Sequence, residues 1–196
     1  MKRNKEDTSG TIDLLIRTGR QHFTARGYAG AALEEIVQEA QLTRGAVYHH
    51  FRSKRGLFEA VLEAVQRDVA ERVEFEASKT DDPWEQLVLG CRTFVAAAVE
   101  PYNKRIMLID GPAVLGWEAW RRMDERNAMR LLRDQLEEMQ QQGYLVPLSI
   151  EAITHLISGA LNEFALWLAH QPDADKQLEE QMSVITLMLE GFRVRG

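Results

Sequence analysis

Residues 33–57 read LEEIVQEAQLTRGAVYHHFRSKRGL, and this stretch decides the fold. Leu33, Ile36, Val37 and Ala40 recur at helical spacing, with Glu34, Glu35, Gln38 and Glu39 on the opposite face. A short amphipathic helix is predicted there. Gln41 and Leu42 follow as a turn, and Thr43 stands where a side-chain oxygen caps the next helix. That second helix turns Val47 and Phe51 inward and shows solvent Arg44, Gly45, Ala46, Tyr48 and His49, with no acid among them. A short acid-free helix of small residues and hydrogen-bond donors, following a tight turn, suits the major groove of DNA.

Charge supports that reading once it is divided. The chain of 196 residues has a formal net charge of −6, which taken alone does not suit a nucleic-acid partner. Residues 1–62 hold ten Lys and Arg against seven Asp and Glu, a local charge of +3, leaving −9 for the remainder. A basic head on an acidic body fits specific DNA contact, with the body discouraging non-specific wrapping.

The rest of the chain is also helical in pattern. A helix is expected over 9–26, burying Ile12, Leu15, Ile16, Gly19 and Phe23 and ending at Gly27. Ser53 is placed to cap a helix over 54–79, and Asp82, Pro83 and Glu85 open the next, which reaches about residue 99. Residues 102–116, with Gly111, Pro112 and Gly116, predict a short helix and a bend. A long helix over 117–142, a helix capped by Ser149 and ending near 171, and a last helix over 175–193 complete the pattern, with Pro172 and Asp173 between the last two. The expected fold is all-α, about nine helices: a three-helix head over 1–53 and a body over 54–196, connected by the helix over 54–79.

The last two helices are apolar on more than one face. Leu156, Ile157, Leu161, Phe164, Leu166, Trp167 and Leu168 exceed a single core stripe, as do Val184, Leu187 and Met188 beside Ile185 and Leu189. A helix apolar nearly all round is buried on both sides, and here the second side is expected to be another copy of the chain.

Other classes find little support. There is no run of eighteen apolar residues, so no membrane helix is expected, and the N-terminal MKRNKEDTSG lacks a signal-peptide core. The expected location is the cytoplasm. His22, His49, His50, His155 and His170 have no metal-ligand spacing, Cys91 lies alone in an apolar helix, and no Gly-rich phosphate loop occurs. No catalytic residue, metal or cofactor is expected.

Residues 12–62 resemble the DNA-binding domain of the tetracycline-repressor (TetR) family. The resemblance rests on Phe23, Gly27-Tyr28, Leu33, Ile36, Ala40, the run Leu42-Thr43-Arg44-Gly45-Ala46-Val47-Tyr48-His49-His50-Phe51, Ser53-Lys54 and Leu57. It implies phosphate contacts from Thr43, Tyr48, His49 and Lys54. Arg44, whose fork fits guanine O6 and N7, reads bases or else holds a phosphate. Ala46 is placed to touch a thymine methyl group, and Gly45 is either a tolerated defect or clearance for close approach to DNA. His50 faces the phosphates or packs on the first helix; Lys2, Arg3 and Lys5 form an unstructured arm along DNA or a solvated tail. The chain departs from the family where Gly30-Ala31-Ala32 replaces a Ser or Thr that binds phosphate at the start of the second helix.

The resemblance further implies a homodimer on a palindromic operator, most simply a repressor released by a small molecule. A ligand-independent DNA-binding or architectural protein with the same head is the alternative. Candidate pocket residues are Phe94, Met107, Trp117, Trp120, Met123, His155, Asn162 and Trp167, with Trp84 and Phe164 beside them, each weighed against ordinary core packing. They suggest a mainly apolar or aromatic effector.

Overall fold

The first helix, α1 (Lys2–Gly30), starts earlier than its sequence pattern suggests. Lys2, Arg3, Lys5 and Glu6 are good helix formers, and the first proline of the chain is Pro83, so no proline halts the helix before Ser9. A computed structural model describes residues 2–171 and 174–194, apart from the side chains of residues 2–9 and 174–176. The backbone at Lys2, Arg3 and Lys5 is thus helical and not an unstructured arm, and their side chains lie outside the described residues, as do Pro172 and Asp173. The expected stop at Gly27 is present: its φ of 71° and ψ of 170° interrupt α1 in a region of backbone space open almost only to glycine.

The chain folds as two compact units, residues 1–65 with 101–121, and 66–100 with 122–196. In the first unit α1, α2 (Leu33–Glu39) and α3 (Arg44–Phe51) surround the start of α4 (Lys54–Ala77). Leu15, Phe23, Ile36, Val47, Leu57 and Phe58 are fully buried among them. Phe23 and Phe58 meet edge to face at 5.1 Å, and Tyr28 joins Phe58 at the same distance, a geometry that aromatic quadrupoles favour. Buried His22 draws α1 and α2 together by donating to the Glu39 carboxylate at 2.7 Å.

Residues 101–121 pack on this head, in pieces shorter than one helix and a bend. They comprise α6 (Pro101–Lys104), a π-helical turn (Arg105–Asp110), α7 (Gly111–Leu115) and the start of α8 (Trp117–Arg126). Polar contacts fix the segment: Arg20 donates to Asn103 Oδ1 at 3.0 Å, and the Tyr28 N–H donates to Asp110 Oδ2 at 2.8 Å. Trp120 donates its indole N–H to the Met107 carbonyl at 2.8 Å.

The second unit is a helix bundle. α5 (Pro83–Val99), α9 (Ala128–Gln141) and α10 (Ile150–Leu168) pack on one another, and α11 (Ala174–Glu190) packs against α5 and α10. Asp82 caps α5 by accepting from the N–H groups of Trp84 and Glu85, and Ser149 caps α10 by accepting from that of Ala152. Glu85 does not complete the expected reciprocal cap; its carboxylate instead accepts from the Thr80 hydroxyl at 2.6 Å.

The single helix expected over 117–142 is broken at Asn127, whose backbone leaves the helical region (φ −114°, ψ −113°). Its side-chain amide takes the Met123 carbonyl at 2.7 Å, the competition with the helix ladder for which Asn is known. Among the described residues there is no strand, only an isolated antiparallel bridge between Leu145 and Arg193. None of the described helices is long and apolar enough to cross a membrane.

A Cβ at Gly27 would also lie 2.8 Å from Arg105 Nε. Gly27→Ala is therefore expected to destabilise the protein by about 1–3 kcal/mol. Gly10→Ala, which meets open space inside the same helix, should hold or slightly raise the thermal midpoint. Equal midpoints for the two variants in thermal melts would contradict the role assigned to Gly27.

Candidate functional site

Two features set the direction of α3. Thr43 caps its N-terminus, Oγ1 accepting from the Ala46 N–H at 3.3 Å, and Arg52 closes its C-terminus in the left-handed conformation (φ 67°). Val47, with no exposure, anchors the inward face. Thr43, Arg44, Gly45, Tyr48 and His49 are consequently exposed, while Ala46 and His50 are half-buried. Phe51, expected inward, is only half-buried, and the His49 and His50 rings meet edge to face at 4.7 Å.

A groove of about 370 Å3 brings Arg44, Tyr48 and Lys54 together with residues 29–34. The Lys54 ammonium sits 4.6 Å over the Tyr28 ring, a cation–π contact that holds it at the first turn of α4. Ala32, the N-cap of α2, makes no side-chain cap, so the hydroxyl of the family pattern has no counterpart there.

One residue of this face is not legible in α3 itself. Glu34, on α2, places its carboxylate 3.0 Å from Arg44 Nη1. Arg44 also donates to the Tyr48 hydroxyl at 3.1 Å, and its guanidinium lies 5.4 Å over the Tyr48 ring. The Tyr48 contact first, and the Glu34 charge after it, raise the Arg44 pKa above its ordinary value. The helix is acid-free; the surface is not.

The second unit contains a cavity of about 370 Å3. Its buried walls are Val73, Leu87, Cys91, Phe94, Met129 and Leu161, with Asp124 and Ser158 as the buried polar members. Exposed Glu74, Arg130, Asp134 and Glu138 stand at the mouth. Asn162 lies one turn beyond Ser158 and donates to Asp124 Oδ2 at 3.2 Å and to the Ser158 carbonyl at 3.0 Å.

Of the pocket residues suggested by sequence, Phe94 lines this cavity and Asn162 supports its wall; the rest lie elsewhere. Met107 and Trp120 are core residues of the first unit, and Met123 is buried in the second away from these walls. Trp117 is 65% exposed and packs on Trp120 at 5.0 Å; His155 is exposed, and Trp167 lies half in solvent beside Phe164. Sequence reading passed over Asp124, although it falls four residues after Trp120 on the buried side of α8. Among the described residues, no group of His, Cys, Asp and Glu is placed to hold a metal.

The family model for the tetracyclin repressor-like C-terminal domain matches residues 84–192, more than half the chain. The chain belongs to the TetR family. A second model, bacterial regulatory proteins of the tetR family, matches residues 15–61. The crystal structure of a TetR-family transcriptional regulator from Pectobacterium atrosepticum superposes with a TM-score of 0.82 at 32% identity, covering 97% of each chain. The repressor NemR of Escherichia coli K12 is 38% identical over 60 residues, 31% of this chain. The chain spans under a third of the length of the curated relatives it matches first, 30% of NemR and 28% of the regulator AcuR of Cereibacter sphaeroides. RolR in complex with resorcinol shares the fold, with a TM-score of 0.70 at 20% identity over 91% of this chain and 88% of RolR. The chain thus carries both the N-terminal DNA-binding domain and the C-terminal domain of TetR-family transcriptional regulators.

Burial pushes the Cys91 thiol up to about 12. Because the raised value favours the neutral form, the thiol stays protonated in the folded protein from neutral pH to well above its ordinary value of 9.0. Alkylation by iodoacetamide at pH 8 is expected to be at least about tenfold slower than in denaturant. Equal rates would show an accessible, ionised thiol.

Proposed function

We propose that the protein is a homodimeric repressor that leaves a palindromic operator when a small apolar or aromatic effector enters the second unit. The observation that carries this is the outward face of α3, where Arg44, Tyr48 and Lys54 converge on one groove. Arg44 reads guanine edges, Thr43, Tyr48, His49 and Lys54 hold phosphates, and Ala46 meets a thymine methyl group. At Gly45 a Cβ would meet only Thr43 Oγ1 at an ordinary 3.5 Å. Nothing inside the chain requires glycine there, which supports clearance for DNA.

The head extends to residue 53, and the helix after it links head to body. Leu156, Trp167, Val184 and Leu187 expose apolar surface on α10 and α11, which supports a second copy as their cover. The two heads of such a dimer enter successive major grooves about 34–36 Å apart. The body cavity supports an effector-operated protein over a ligand-independent one, and the resorcinol bound by RolR shows the size of molecule that one protein of this fold accepts.

The contact roles can be separated by anisotropy titrations on a selected operator and on random DNA. Arg44→Ala should weaken operator binding about 10- to 100-fold more than random-DNA binding, whereas Tyr48→Phe should weaken both alike. Glu34→Gln removes an acid beside the backbone and should tighten binding to random DNA. Equal losses for Arg44→Ala on both DNAs would reduce it to a phosphate contact.

The dimer has a separate test. Val184→Glu with Leu187→Glu is expected to shift sedimentation to the mass of one chain and abolish operator binding, with helicity retained. A stable dimer in that variant would place the interface elsewhere.

A further inference from the structure

We infer that Glu34 is a positioning residue of the DNA face: its carboxylate holds the Arg44 guanidinium for a guanine edge and opposes its use on phosphate. This rests on the reading of Arg44 as a base reader and adds the residue that sets how selective that reading is. Glu34 stands in the first turn of α2, and its carboxylate lies 3.0 Å from Nη1 of Arg44 on α3. It is the one acid among the described residues lining the groove that Arg44, Tyr48 and Lys54 share.

Stability does not account for the pair. The Glu34 and Arg44 side chains are 64% and 60% exposed, and an ion pair so open to water adds little to folding. An acid near the start of α2 also complements the helix dipole, but Glu35 already serves that turn. What the pair does fix is the guanidinium. Glu34 holds Nη1, and Nη2 donates to the Tyr48 hydroxyl at 3.1 Å, so Arg44 is gripped from α2 and from α3. A guanidinium carries five N–H donors, and the three left over suffice for the two acceptors of guanine.

Charge then separates the two kinds of DNA contact. A phosphate is drawn by the charge of Arg44 with little demand on direction, and Glu34 both offsets that charge and repels the phosphate. The major-groove edge of guanine is uncharged and presents O6 and N7 at fixed positions. It loses far less to the carboxylate, and it gains from a guanidinium already held in place. An acid so placed lowers affinity for every sequence that lacks the guanine, which is specificity built by repulsion.

Anisotropy titrations of the full-length protein test this on two duplexes: one that the wild type selects from a randomised library, and a scrambled one of the same composition. Glu34→Gln should tighten binding to the scrambled duplex about fivefold without tightening binding to the selected one, so the ratio of the two affinities falls about fivefold. On the scrambled duplex, the slope of log Kobs against log salt should steepen by about one, a readout that a merely structural acid would not move. Glu34→Asp keeps the charge and should keep the wild-type slope. In an Arg44→Ala background, Glu34→Gln should leave the ratio unchanged, because Glu34 acts through Arg44. If Arg44→Ala lowers the ratio and Glu34→Gln does not, the role of Glu34 is overturned and Arg44 remains a base reader. A fall of equal size with and without Arg44 overturns the inference as well. If Arg44→Ala leaves the ratio unchanged, base reading by Arg44 fails and the inference falls with it.

Discussion

The outward face of α3 depends on one buried side chain. Val47 has no exposure, and because residues on a helix advance by a fixed angle, burying position 47 turns 44, 45, 48 and 49 outward. The caps at Thr43 and Arg52 then fix where that face starts and stops. α3 is too short to persist in water alone, so its structure is borrowed from the packing beneath it. The aromatic cluster of Phe23, Tyr28 and Phe58 belongs to the same system, since Tyr28 supports the Lys54 ammonium as well as the core.

How much of this was legible in the sequence divides along physical lines. Local signals were read correctly: the caps at Thr43, Ser53, Asp82 and Ser149, the stop at Gly27, and the inward setting of Val47. Each depends on residues within a few positions of one another. The break at Asn127 was missed because polar periodicity continues through it on both sides. Glu34 was assigned to the outer face of α2, correctly, but its arrival beside Arg44 depends on how α2 and α3 cross, which periodicity does not carry.

The candidate pocket shows the same limit more severely. Large aromatic residues were chosen for their size, yet Trp120 is a core residue of the first unit and Trp117 lies on the surface. His155 and Asn162 are seven residues apart and nominally on one face, but one is exposed and the other buried. Which part of a helical stripe is covered depends on where its neighbours end, a tertiary property. Asp124 is the instructive omission. A carboxylate on a buried stripe is expensive, so its presence marks a polar network that the fold must supply, here from Ser158 and Asn162.

Gln66 carries the same logic into α4. Its side chain is 2% exposed, and neither its amide nitrogen nor its oxygen has a hydrogen-bond partner. A buried amide left unmade on both sides is a free-energy penalty specific to this conformation of the helix. Any rearrangement that gives the amide a partner recovers part of that penalty, so the conformation of α4 seen here is less strongly preferred than its apolar burial alone would make it. α4 also carries Lys54 at its first turn and Val73 in the wall of the cavity. A ligand changes an equilibrium only by what it binds differently in the two states. In the effector-operated protein proposed above, a helix already carrying an unsatisfied amide would need less differential affinity to move such an equilibrium.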